Sequence, residues 1–261
     1  MKKVRVCVLT GYGINCDYES EYCFKEAGAE AERVHVNELI SGERRLSDYH
    51  IFFIPGGFSF GDNIASGKVL ANKLLTRLED EIRAYIADGR LVFGVCNGFQ
   101  VLVKMGILPG FSGMGEQEAT ITFNDSGRFE DRWVYLKVEE RSPSIYTRDL
   151  EKLYLPVRHG EGKFFASDRK VLDRIEAEGL VALRYAGEDG RSAGYPWNPN
   201  GSQNDIAGIC DPTGRIFGMM PHPEAFNHRT NHPRWTREKL PEEGQGLSIF
   251  RNAVRFAGTE L

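Results

Sequence analysis

From Leu91 to Leu108 the sequence reads LVFGVCNGFQVLVKMGIL, and its centre, Gly94-Val95-Cys96-Asn97-Gly98, sets a thiol where an apolar run meets a helical pattern. A glycine stands two residues to either side of the sulfur. This is the form of a nucleophile elbow, with cysteine in place of the serine of Gly-x-Ser-x-Gly. A tight strand-to-helix turn strains the backbone at the nucleophile, and the flanking glycines remove side chains that would clash there. A helix starting at Asn97 aims its first N–H groups and its positive dipole end at the sulfur, favouring a thiolate. The Asn97 N–H can also help bind an oxyanion formed on a substrate carbonyl. The plainer alternative is a small buried thiol beside a helix-packing glycine.

A thiolate nucleophile needs a base, and the base needs an orienting group. MMPHPEAF offers His222 and Glu224 two residues apart. In extended backbone, residues i and i+2 point the same way, so the carboxylate can hold the imidazole. Pro221 and Pro223 favour that extended backbone. His159 in VRHGEGKF competes, since it too has a glutamate, Glu161, at i+2. Spacing alone does not separate the two histidines. His35 and His50 lie in or beside strands and read as structural, while His228 and His232 fall in a polar stretch, NHRTNHPRWTREK, that reads as a solvated loop. Among the other cysteines, Cys7 and Cys210 alternate within strands and read as core, and Cys23 falls on the first helix. Cys16 also follows a glycine-containing turn at a helix start, but it has Tyr18 where an elbow needs glycine.

These residues need a frame. Val4–Thr10 reads as a strand, followed by a helix from about Cys16 to Ala27 that Gly28 closes. AERVHV and YHIFFIPGG are the next strands, and a glycine-rich loop then leads into helical periodicity up to Gly89. Leu91–Val95 is a continuous apolar strand of the kind found at the centre of a parallel sheet. This alternation predicts a doubly wound α/β sheet, whose ligands gather at the carboxyl ends of its strands. IPGGFSFGD and GVCNGFQ both begin at such ends. Beyond Gly110, EATITFN, RWVYLKVEE, KLYLPVRHGEGKFF and LVALRYAG read as shorter alternating strands, with a helix near Arg169–Glu178. IAGICDPTGRIFGMMPHPE reads as a hairpin turning at Asp211-Pro212-Thr213-Gly214, and GLSIFRNAVRFAG as a closing helix. No repeat, low-complexity segment or linker interrupts residues 1–261, so one domain is expected.

Composition narrows the classes. The chain has 261 residues, 41% hydrophobic and 27% charged, with net charge −4, which gives no basic field for nucleic acid. No run approaches the roughly 18 apolar residues of a spanning helix. The start, MKKVRVCVLTGYG, has lysines before an apolar run, but the run is short, contains Arg5 and lacks a small-residue cleavage site, so a buried first strand is the better reading. Five cysteines without metal-type spacing point to reduced thiols in a cytoplasm, and no metal is expected.

Taken together, PGGFSFGD, GVCNGFQVL, LPVRHGEGKF, GYPWNPNGS followed by IAGI, and MMPHPE resemble the class I (triad) glutamine amidotransferases, from about Val4 to Phe256. More narrowly they resemble the glutaminase subunits or domains of phosphoribosylformylglycinamidine synthases, in purine synthesis. GINCDYE matches a further family segment whose cysteine is not catalytic. The resemblance implies a flavodoxin-like, mostly parallel sheet with Cys96 as nucleophile, His222 as base and Glu224 as its orienter. It maps the oxyanion hole onto backbone N–H groups around Gly57 and of Asn97, and a substrate-glutamine contact onto Gln100. His159 then belongs to an HGEG loop near the site, with no catalytic step assigned. The implied partner is a synthetase subunit that binds ATP, Mg²⁺ and formylglycinamide ribonucleotide, with a small accessory subunit left open. No cofactor is assigned to this chain, which has no Gly-x-x-x-x-Gly-Lys-Ser/Thr loop. The stretch from Asn227 to Gln245 is longer than in the shortest stand-alone subunits and looks more like the tail of large fused synthases. A cysteine hydrolase of peptidase or deglycase type is the enzymatic alternative, and a binding module with a relic elbow the non-enzymatic one.

Overall fold

Every residue of Ile51–Ile54 and of Leu91–Val95 is buried. Strands without a polar face must be covered on both sides, which is the condition of a central parallel sheet. The computed structural model describes residues 3–261, so Met1 and Lys2 at the lysine-led start lie outside the described residues. The first part runs β1 (Arg5–Thr10), α1 (Asp17–Glu26), β2 (Glu30–His35), α2 (Val36–Ser41), β3 (Ile51–Ile54), α3 (Lys68–Ala87), β4 (Leu91–Val95) and α4 (Asn97–Lys104). The second runs β5 (Ala119–Phe123), β6 (Glu130–Val138), β7 (Lys152–His159), β8 (Glu161–Ala166), α5 (Arg169–Ala177), β9 (Val181–Ala186), β10 (Ile206–Cys210), β11 (Ile216–Met219) and α6 (Leu247–Glu260).

The nine-stranded sheet has the order β2-β1-β3-β4-β11-β10-β9-β6-β7. Its β2-β1-β3-β4-β11 half is parallel and doubly wound, and β10, β9, β6 and β7 extend it antiparallel. β5 and β8 form a separate antiparallel pair. The expected doubly wound sheet is therefore present, but the four strands that extend it from beyond Gly110 are not the shorter ones expected, running 5–9 residues against 4–6 in the parallel half.

Two glycines let α4 lie close on the sheet. Gly94 and Gly218 are register partners on β4 and β11. A Cβ at Gly94 would stand 2.6 Å from the Gly98 carbonyl carbon, and one at Gly218 would stand 2.1 Å from the Phe99 ring. α4 is consequently buried along its whole length. On the core side Phe93 meets Phe53, Tyr146, Phe217 and Phe250 at centroid distances of 5.0–6.0 Å.

Several local expectations need revision. KLYLPVRHGEGKFF is two strands, because the β6 ladder ends at His159 and β8 turns away to pair with β5. Val36 starts a short helix rather than ending a strand: His35 and Glu38 form a capping box, and Gly42 closes the helix at φ 76°. The NHRTNHPRWTREK stretch is not simply a solvated loop. His232 is buried against Trp133, Tyr154 and Phe226, with ring centroids 5.5–5.7 Å away. His228 caps the turn at Arg229–Asn231 and bridges to Glu243. The hairpin turn forms as read, Gly214 N–H donating to Asp211 O at 2.9 Å. His35 caps α2, and His50 Nδ1 accepts from Arg5 N–H, so both are structural. Among the described residues no helix is long and apolar enough to cross a membrane.

Candidate active site

Cys96 sits where β4 becomes α4, with φ 50° and ψ −104°, a conformation that an L-residue adopts only under strain. The register holds it there: Cys96 N–H donates to Met219 O at 2.8 Å, and Gln100 N–H donates to Cys96 O at 3.0 Å. The flanking glycines are obligatory. A Cβ on Gly98 would lie 1.9 Å from Ile54 O, so the turn closes only because that side chain is missing. The sulfur approaches Arg158 O, 3.7 Å away on β7.

His222 follows β11 and is anchored through its backbone N–H to Pro156 O at 2.8 Å. Its Nδ1 lies 2.5 Å from Glu224 Oε1, and both side chains are buried. The pairing holds, but not through extended chain: Pro223–Ala225 form a single 3₁₀ turn that folds the carboxylate back onto the ring. Burial works strongly against a charge on His222, yet Glu224, followed by Cys96, outweighs it and holds the imidazole pKa well above its ordinary value. His222 Nε2 has no hydrogen-bond partner among the described residues. It is the nitrogen available for proton transfer. Beneath the turn, the buried Cys23 thiol donates to Glu224 O at 3.7 Å and Asn227 Nδ2 donates to the same oxygen at 2.8 Å.

His159 has a different setting. Its Nδ1 faces Asn124 Oδ1 at 3.0 Å, its Nε2 faces Asn200 Nδ2 at 3.5 Å, and the ring lies on Gly162, where a Cβ would be 2.2 Å away. Burial, aided by the charge on His222, pushes its pKa down to about 3. Glu161 does not orient it, because that carboxylate accepts from Ser66 N–H at 3.2 and 3.3 Å. The two histidines that spacing could not separate are thus told apart by their partners: His222 has a carboxylate, and His159 has two amides.

The loop after β3 completes the arrangement. Gly57 has φ 145°, and a Cβ there would sit 2.6 Å from Gly13 O. Gly56 lies under the His222 ring, 2.7 Å from its Cε1 to a notional Cβ. Asn97 supplies the first N–H of α4, and its side chain ties the site together, accepting from Ser59 N–H at 3.3 Å and donating to Gln100 Oε1 at 2.9 Å. Gln100 in turn donates to Glu161 O at 2.6 Å. Sequence reading missed the roles of Asn97 Oδ1 and Glu161 in holding this loop, though both lie inside motifs it quoted. It also missed where Cys16 goes. That thiol lies 4.0 Å from His222 Nδ1, on the Glu224 side of the ring. Cys16 has unstrained backbone, φ −100°, and burial pushes its pKa up to about 11. It has no elbow.

The carboxyl ends of β3, β4 and β11 thus bring together a strained cysteine, a histidine held by a buried glutamate, and backbone N–H groups beside them. This combination is suited to nucleophilic acyl transfer from a carboxamide or a similar group. Residues 3–257 match the model of the CobB/CobQ-like glutamine amidotransferase domain. A curated relative in Dehalococcoides mccartyi, named phosphoribosylformylglycinamidine synthase subunit PurQ, is 48% identical, with 98% of this chain and 99% of that protein covered. One of the same name in Methanococcus maripaludis is 40% identical, covering 97% of each chain. Among solved structures, that of PurLQS from Thermotoga maritima matches with a TM-score of 0.73 at 29% identity, over 97% of this chain and 99% of the other. With a family model matched along nearly its whole length and relatives of 40–48% identity, this chain belongs to the CobB/CobQ-like glutamine amidotransferase family.

Proposed function

We propose that this chain is the glutaminase subunit of phosphoribosylformylglycinamidine synthase, releasing ammonia from glutamine for a synthetase subunit that converts formylglycinamide ribonucleotide to the amidine with ATP. The observation that carries the reading is the buried Cys96–His222–Glu224 arrangement at the strand ends, in a chain whose full-length relatives bear the PurQ name. Cys96 attacks the side-chain carboxamide of glutamine. The Asn97 N–H and the backbone around Gly57 bind the oxyanion. His222, held by Glu224, passes a proton to the leaving nitrogen, and ammonia departs from a γ-glutamyl thioester. His222 then activates the water that releases glutamate. Gln100 contacts the substrate while its own amide stays fixed by Asn97 and Glu161. His159 holds the adjoining loop in place.

The reading makes residues 1–261 one amidotransferase unit that works in the cytoplasm and carries no cofactor of its own, with ATP and Mg²⁺ on the synthetase. A peptidase-like hydrolase is not favoured, because relatives bearing the PurQ name match nearly end to end. The test is Cys96→Ala mixed with the synthetase partner. Glutamine-dependent product formation is lost, whereas high ammonium at alkaline pH still supports it. Wild-type protein that uses ammonia but never glutamine overturns the assignment.

A further inference from the structure

Cys16, His222 and Glu224 each present one metal-ligating atom within 4.8 Å of the other two, and all three residues are buried. The cluster draws its ligands from the start of α1 and from the turn after β11. Cys16 Sγ lies 4.0 Å from His222 Nδ1, which lies 2.5 Å from Glu224 Oε1. The other carboxylate oxygen, Glu224 Oε2, is buried and accepts no hydrogen bond among the described residues. An uncompensated buried carboxylate oxygen is costly, and a cation is one way to satisfy it. Asn15 Oδ1, 3.3 Å from Cys16 Sγ, adds a neutral oxygen beside the thiol. Gly56 leaves the gap between thiol and ring open, since a Cβ there would stand 3.2 Å from the sulfur. Cys16 keeps 8% of its surface exposed, so the cluster is not sealed.

We propose that this cluster is an inhibitory site for a thiophilic divalent cation of the zinc class, held by Cys16 Sγ, His222 Nδ1 and the Glu224 carboxylate. A tetrahedral zinc ion sets sulfur and nitrogen ligands about 3.6 Å apart and nitrogen and oxygen ligands about 3.3 Å apart. The Sγ–Nδ1 gap must therefore close by roughly half an ångström and the Nδ1–Oε1 pair open by less than about 1 Å. Binding to the imidazolium form releases two protons, one from the Cys16 thiol and one from Nδ1. The neutral ring that remains carries its single proton on Nε2. That nitrogen can then no longer accept a proton from Cys96 or from water, and Glu224 is drawn away as orienter. The cation stops turnover without touching Cys96.

The binding claim stands on geometry, and only the inhibition claim rests on the function proposed above. Cobalt(II) and zinc are the probes, on the full chain. Cys96→Ala retains one site, seen as a near-ultraviolet thiolate-to-cobalt charge-transfer band and as one equivalent of zinc by calorimetry. The Cys16→Ala/Cys96→Ala protein loses the band and binds zinc at least tenfold more weakly. Equal bands in the two proteins, or none in Cys96→Ala, overturn the proposal. With Cys96 intact, Cys16→Ser raises the zinc concentration needed to halve each protein's own glutaminase rate at least tenfold. Unchanged zinc sensitivity there places the inhibitory metal on Cys96 and also overturns it. A wild type that hydrolyses no glutamine fails the functional reading instead and leaves the cobalt result to stand.

Discussion

Replacing Gly98 by alanine tests whether the site depends on backbone contact rather than on side chains alone. The new Cβ would lie 1.9 Å from Ile54 O and 2.7 Å from its carbonyl carbon, against an ordinary contact of 3.4 Å or more. Neither neighbour is a flexible side chain, so α4 and the end of β3 must part by about 1.5 Å. Cys96 and Asn97 ride on α4, and Gly56 and Gly57 follow β3, so the separation moves the sulfur and the Asn97 N–H away from the proposed oxyanion donors around Gly57. A misplacement of about 1 Å can cost roughly 100-fold in rate. Overpacking of this kind costs about 1–3 kcal/mol of stability, which for a chain of this size lowers the melting temperature by roughly 3–10 °C. The assay is glutamate release in the presence of the synthetase, alongside thermal denaturation. Gly258→Ala, on α6 with only Val4 Cγ2 at 3.4 Å, is the control and retains its rate. A Gly98→Ala protein with unchanged melting and a rate within threefold of wild type refutes the reasoning.

His222→Ala should reduce thioester formation from glutamine by two to four orders of magnitude, while His159→Asn still forms thioester detectable by acid quench. Stability should fall on the acid side through His159, whose pKa drops from 6.5 to about 3 on folding. Between those values the unfolded chain binds a proton that the folded one excludes, so stability declines from about pH 6.5 toward pH 3, by up to roughly 5 kcal/mol; His159→Asn should flatten that limb in pH-dependent urea titrations. Above pH 6.5 the raised pKa of His222 works in the opposite sense, removing stability as pH rises through it. Asp211→Ala removes acceptors for Ile216 N–H, Thr213 N–H and Thr213 Oγ1 and should cost about 2 kcal/mol, read from denaturant midpoints, with little change in rate per folded molecule.

The parallel half of the fold and the elbow were legible because their causes are local. Leu91–Val95 is apolar throughout, and the glycines that permit Cys96 its backbone lie two residues from it. The His222–Glu224 pair was also legible, although by the wrong geometry: Pro223 opens a 3₁₀ turn where extended chain was expected. The rest depends on distant residues. His159 is distinguished from His222 by Asn124 and Asn200, which are 35 and 41 residues away. Cys16 reaches His222 across 206 residues, and no spacing rule joins them. His232 lies in a stretch polar enough to read as solvated, and it is buried only because Trp133, Tyr154 and Phe226 form a wall beside it.

Two buried imidazoles close enough to feel each other's charge pose an electrostatic problem, and the structure resolves it by giving them unequal partners. Burial disfavours a cation on either ring. Of the two, His222 has the carboxylate of Glu224 against it, and the main-chain oxygen of that glutamate is fixed by Asn227 and Cys23. Once His222 holds a proton, its charge further disfavours one on His159, which the amides of Asn124 and Asn200 keep neutral. Protonation is therefore directed to a single ring. Its Nε2 is the buried ring nitrogen without a hydrogen bond among the described residues, in keeping with the proposed role of taking and returning a proton. Exchanging the partners, with an amide at Glu224 and a carboxylate at Asn124, would move the favoured proton onto a ring whose Nε2 faces Asn200. His159 would then be charged, and the base proposed for Cys96 would lose its orienting carboxylate.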